Sequence, residues 1–189
     1  MKLLSISTAM ALLAGATFAM SAPARASTFV LGDGMAHDCS VAALAGSTSL
    51  DTIELCTIAL DTEMLSDSDE AKTFVNRAVV YLRSGHLDNC RKDLVDAERL
   101  MPNLAEIYIN RGALMIHTGR YQEAVNEINK GLALSPSQPE KAYFNRGLAN
   151  EGLNETRAAY YDYRKAQEIS PSWPAAARAI ARFQVQSTR

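Results

Sequence analysis

Asparagine followed by arginine and a small residue occurs three times, at Asn76-Arg77-Ala78, Asn110-Arg111-Gly112 and Asn145-Arg146-Gly147, with spacings of 34 and 35 residues. The pairs Met101-Pro102, Ser135-Pro136 and Ser170-Pro171 keep the same two spacings. Two independent markers that advance together define one unit copied in tandem, and a period near 34 is that of stacked helix–turn–helix hairpins. A single hairpin hides its apolar face only against a neighbour. The chain is thereby confined to an elongated all-α stack, whose long faces suit another polypeptide better than an enclosed reaction chamber.

Each copy divides into two amphipathic segments around a breaker. In the first copy, Phe74, Ala78, Tyr81 and Leu82 fall at i, i+4, i+7 and i+8, one stripe of a helix. Ser84-Gly85 stops it, Leu87, Cys90, Leu94, Ala97 and Leu100 form the second stripe, and Pro102 ends the unit. The second copy runs through Tyr108, Gly112, Met115, Gly119, Tyr121, Ala124, Ile128, Gly131 and Pro136. The third runs through Tyr143, Gly147, Asn154, Ala159, Tyr163, Ala166 and Pro171, with asparagine at the breaker position. Small residues stand where helices cross closely, and large ones stand a turn away.

This order of aromatic, small, breaker, small, large, small and proline resembles the tetratricopeptide repeat family over residues 69–171, in units 69–102, 103–136 and 137–171. The resemblance implies a right-handed α-solenoid whose inner helices line a concave groove. Cys90 and Gly131 at small positions and Asn150 in place of an aromatic depart from the pattern without breaking a helix. Groove-lining positions would be Lys72, Val75, Asn76, Val79 and Arg83, then Glu106, Ile109, Asn110, Ala113 and His117, then Lys141, Phe144, Asn145 and Leu148. Asn76, Asn110 and Asn145 share one position and should form a ladder along the groove. A primary amide offers an acceptor and two donors, which suits a main-chain peptide group whatever its side chain. The same amides could instead support the neighbouring repeat's backbone. Val75, Ile109, Phe144 and Leu148 are expected to add apolar contact. Lys72, Arg83 and Lys141 are the cations expected to meet a partner's carboxylates.

Counting one period back from Cys90 and Ala78 lands on Cys56 and Leu44, so residues 36–62 read as a degenerate hairpin within an acidic segment, 27–68. Pro174 to Gln186 reads as a capping helix with Ile180 and Phe183 inward, within a terminal unit 172–189. Residues 1–26 read as a cleaved export leader: Lys2, an apolar run from Leu3 to Met20, then Ala24-Arg25-Ala26 before Ser27. That places the protein in the periplasm or outside the cell, with no membrane insertion after cleavage. Without Lys2 and Arg25 the chain has 17 basic and 21 acidic side chains, net −4. Nine of the acids and no Lys or Arg lie in 27–71, so an acidic head precedes a mildly basic array. That weak positive balance is no nucleic-acid footprint.

Cys39 lies seven residues before Gly46, and Cys56 lies seven after Ser49. In an antiparallel hairpin such residues are level, and a disulfide there would contribute on the order of 3 kcal/mol. Cys90 reads as a small core residue. Arg77, Arg111 and Arg146 each have an acid 16 residues later, Asp93, Glu127 and Asp162, on the second helix of the same hairpin. Intra-repeat ion pairs account for both columns. His37, His86 and His117 lack metal-site spacing, and Asp38 beside His37 reads as a helix-capping acid. No phosphate loop, nucleophile elbow or metalloprotease motif occurs. The reading is a non-catalytic, cofactor-free and metal-free adaptor that binds another protein. Self-association through the acidic and basic surfaces, giving a homo-oligomer, and service as an accessory subunit of an envelope enzyme complex are the alternatives.

Overall fold

The computed structural model describes residues 23–29 and 32–183. Residues 1–22 of the expected leader and 184–189 of the expected terminal unit lie outside the described residues. The described residues form nine helices and no strand: α1 Met35–Leu44, α2 Leu50–Thr62, α3 Asp67–Ser84, α4 Leu87–Leu100, α5 Ala105–His117, α6 Tyr121–Ala133, α7 Pro139–Gly152, α8 Thr156–Ile169 and α9 Pro174–Ile180. Helices pair as hairpins α3–α4, α5–α6 and α7–α8, with α1–α2 stacked before them and α9 after.

Local chemistry sets the boundaries. Ser49 Oγ accepts from Thr52 N at 3.2 Å and Ser66 Oγ accepts from Asp69 N at 3.2 Å, so serine caps open α2 and α3. The breakers adopt the left-handed conformation, with φ 82° at Gly85, 72° at Gly119 and 62° at Asn154. Asn154 therefore performs the turn that glycine performs in the other two copies.

Close crossings explain the small residues. A Cβ on Gly112 would lie 2.5 Å from Ile128 Cγ1, and one on Gly147 would lie 2.7 Å from Tyr163 Cε1. The core is continuous through Val75, Leu82, Leu94 and Leu114 in the first two repeats. A second cluster, with Phe144, Leu148, Tyr163 and Ala176, fills the third repeat and α9.

Both ends are closed. Cys39 and Cys56 form a disulfide, S–S 2.08 Å, tying α1 to α2. The cap of α1 departs from expectation. Asp38 sits in the first turn without capping it, and the Glu63 carboxylate, just beyond α2, accepts from Met35 N and Ala36 N instead. Asp38 is already inside the helix, past the position where a side chain can reach back to the open amides. At the other end, α9 stops at Ile180 rather than running to Gln186, and Phe183 turns back against Tyr163 and Tyr160 with ring centroids 5.9 and 5.7 Å apart.

Candidate functional site: an amide ladder holding an extended segment

The inner helices α3, α5 and α7 each carry one asparagine at the same register, and all three amides point to the same place. What fills that place is residues 23–29 of the chain itself. Asn145 Oδ1 accepts from Arg25 N at 2.7 Å, and its Nδ2 donates to Arg25 O at 2.7 Å. Asn110 holds Ser27 in the same way, at 2.8 Å in each direction. Asn76 holds Phe29, accepting from N at 2.8 Å and donating to O at 3.0 Å.

Six hydrogen bonds thus go to the main chain of alternate residues. A two-residue step with equivalent contacts is the signature of an extended strand. The segment runs from the third repeat towards the first, opposite to the repeat order. Each amide satisfies a peptide N–H and C=O together, so recognition is blind to the side chain at that residue. Ala26, Ser27 and Thr28 are buried, and all three asparagines are fully enclosed beneath the segment. Residues 23–26 of this segment belong to the expected leader.

Ala24 and Phe29 of the segment pack on the buried clusters that hold Val75, Ala113, Phe144 and Leu148, positions assigned to the groove. Val75, Val79, Ile109, Ala113, Phe144 and Leu148 are interior residues. Val75 packs with Ala71 and Leu94, and Ile109 packs with Ile128 and Ala142. Phe144 lies against Tyr163 and Trp173, ring centroids 5.3 and 5.0 Å away. An inner helix in a stack touches neighbours on both flanks, so most of its apolar stripe is consumed by repeat packing. Glu106 likewise turns inward, and its Oε1 accepts from Ser137 N at 2.9 Å and from Ser137 Oγ at 2.6 Å.

The cations divide. Lys72 pairs with Asp69 at 3.4 Å. Arg83 donates to Ala43 O, and Lys141 donates to Gln138 Oε1 at 2.9 Å. Arg83, His117 and Lys141 line one cleft together with Arg25 and Trp173. Burial, then the neighbouring Arg25, pushes the Arg83 pKa down. Burial also lowers that of Lys141, with Arg83 and Arg25 adding to the effect against the opposing pull of Glu140.

The other arginine column is structural. Arg77 grips Asp93 with two bonds of 2.8 Å, Arg146 grips Asp162 at 3.0 and 2.6 Å, and Arg111 reaches Glu127 at 3.2 Å. Each guanidinium also lies over the preceding aromatic, Phe74, Tyr108 or Tyr143, between 5.3 and 5.5 Å from the ring centroid. Arg111 has a second acid, Glu98, from the preceding repeat at 2.5 Å. The Arg111 side chain, against some loss of solvent, holds that carboxyl below the usual range. Asn150, which replaces an aromatic, donates to Asp162 Oδ2 at 2.9 Å. Cys90 is fully buried, and loss of solvent, followed by the charge of Asp93, pushes its thiol up to about 12. No cluster of His, Cys, Asp and Glu among the described residues could hold a metal ion.

The hairpin stack with its equivalent inner-helix positions is a tetratricopeptide-repeat fold. The family model described as "Tetratricopeptide repeat" matches residues 105–138 and 140–172. The chain is 31% identical over 88 residues to tetratricopeptide repeat protein 6 of Homo sapiens, covering 47% of this chain and 17% of that protein. It is 30% identical over 105 residues to the Hsp70-Hsp90 organizing protein of Triticum aestivum, covering 56% and 17%. The chain thus spans less than a fifth of these curated relatives. Among solved structures, MamA superposes with TM-score 0.58 at 20% identity, covering 79% of this chain and 82% of that one. The tetratricopeptide domain of Arabidopsis OM64 superposes with TM-score 0.56 at 22% identity, covering 62% and 96%. The second such domain of human RPAP3, solved in complex with an HSP70 peptide, superposes with TM-score 0.55 at 17% identity, covering 62% and 97%.

Proposed function

We propose that this protein is a non-catalytic adaptor, exported to the periplasm or beyond the cell, that holds an extended stretch of another polypeptide in its concave groove. The observation that carries this reading is the six-bond grip of Asn76, Asn110 and Asn145 on an extended main chain. Among the described residues, both polar atoms of each of these amides bond the segment's main chain, which supports a site for a strand laid across them. The RPAP3 domain, of like fold, is a protein solved with a bound peptide. The leader pattern ending at Ala26 supports export.

The test is a fluorescein-labelled peptide with the sequence of residues 23–29, titrated into the protein and into an Asn110→Ala, Asn145→Ala double variant. Four main-chain bonds are removed, each worth about 1 kcal/mol net, so affinity should fall at least about tenfold. The helical melting curve should stay nearly in place. Unchanged affinity would remove the groove from this reading. An envelope preparation whose intact mass starts at Met1 would remove the export.

A further inference from the structure

The two ends of the stack carry opposite charge, and each leaves apolar surface in the open. α1 and α2 both pack on α3, so the faces they turn away from it form the first end. Along α2, Leu50, Glu54, Ile58 and Asp61 fall at i, i+4, i+8 and i+11, and all four are exposed. On α1 the exposed residues include Asp38, Val41 and Leu44. Residues 35–64 hold five acidic and no basic side chains. A solenoid that ends in solvent needs a polar outer face on its terminal unit. Leu50 at 69% exposure and Leu44 at 49% depart from that requirement.

The other end has the complementary character. α9 lies on α8, buries Ala175, Ala176 and Ala179, and leaves Arg178 exposed. On α8, Arg157, Tyr160 and Arg164 fall at i, i+3 and i+7. Arg164 Nη1 donates to Tyr160 Oη at 3.2 Å, and the Tyr160 ring meets Phe183 with centroids 5.7 Å apart. Residues 156–183 hold five basic and two acidic side chains. Both acids are already engaged, Asp162 by Arg146 and Glu168 by Lys165.

We infer that the acidic, aliphatic face of α1–α2 docks on the basic, aromatic end at α8–α9 of a second copy, joining copies head to tail along the stack. Inside the stack each repeat meets a neighbour on both flanks, whereas each terminal unit has one flank open. A second copy supplies the missing neighbour at either end. The contact joins two different faces, so every product keeps one free head and one free tail, and growth continues. Opposite charge steers the correct pair together, and like charge opposes head-to-head and tail-to-tail pairs. The inference does not depend on the asparagine ladder, which lies on the inner helices and not at the ends.

Sedimentation velocity of the purified protein, without added peptide, reads the contact. In about 0.05 M salt the average sedimentation coefficient should climb with protein concentration and pass beyond the dimer. In about 0.5 M salt association should weaken at least about tenfold. Two variants each spoil one end at exposed positions: Glu54→Lys with Ile58→Lys at the head, and Arg157→Glu with Arg164→Glu at the tail. Each alone should sediment as a monomer with a nearly unchanged helical melting curve. Their equimolar mixture should associate again, because each contributes one intact end, and this recovery also shows that both are folded. A monomer at every concentration and salt overturns the inference. So does a dimer that the tail variant still forms, which places the contact head to head, or a mixture that stays monomeric. None of these outcomes alters peptide capture by Asn110 and Asn145, so the groove reading is tested separately.

Discussion

At the residue scale, one column of side chains serves structure and the neighbouring column serves recognition. Asn76 and Arg77 are adjacent, yet the amide meets residue 29 and the guanidinium meets Asp93. Successive helix positions are turned about 100° apart, which sends the two into different surroundings. Cys90 offers a prediction here. Its thiol is raised to about 12 in the fold, against about 8.5 in an unfolded chain. The unfolded state releases the proton first, so stability present below pH 8.5 is lost as pH rises towards 12. At pH 10 that loss reaches about 2 kcal/mol. Cys90→Ala should be slightly less stable than the unaltered protein at pH 7 and more stable at pH 10, read from denaturant midpoints at the two pH values. The register of Arg77 with Asp93, and of its equivalents, was legible because a fixed offset of 16 residues repeats three times. Glu63 as the cap of α1 was not, because a contact across 28 residues leaves no local periodic trace.

At the element scale, the repeats are fixed by what cannot fit between their helices. The aromatic ring of Tyr163 occupies the space where a Cβ of Gly147 would lie, 2.7 Å from Cε1. The ring is itself fully buried, and its hydroxyl donates to Glu151 Oε2 at 2.9 Å, so it has little room to retreat. Gly147→Ala should therefore destabilise the third repeat by about 1–3 kcal/mol, despite alanine's better helix propensity. Thermal unfolding followed by circular dichroism checks this, and an unchanged or raised midpoint contradicts the packing. Helix order, breakers and crossings could be read from the sequence because small and large residues alternate with the turn of a helix. Periodicity does not separate the groove's apolar floor from the core beneath it. One stripe supplies both interior and lining, and periodicity does not say where packing ends.

At the scale of the whole molecule, stability is shared between neighbours along the stack. Among the described residues the α1–α2 hairpin packs chiefly on α3, and its internal staple is Cys39–Cys56. Reducing that bond should free this terminal hairpin first. Amide exchange in α1 and α2 should accelerate at least tenfold while α5 to α8 keep their protection, and equal acceleration throughout would mean that the stack melts as one unit. The occupant of the groove is the part of the architecture that the sequence concealed. Pro23 to Phe29 carries no helical or alternating pattern, and the feature visible in it is a cleavage signal. A ladder that grips only main chain leaves no mark on the sequence it grips.

The rungs also impose a metric. Arg25, Ser27 and Phe29 are taken by consecutive repeats, so one repeat advances the guest by two residues, roughly 6.6–6.8 Å of strand. Packed helix axes stand about 8–10 Å apart, so the amides converge towards the hollow side until the two rulers agree. Grip length is consequently counted in whole repeats, and a chain lengthened by one such unit would read two more residues of its guest.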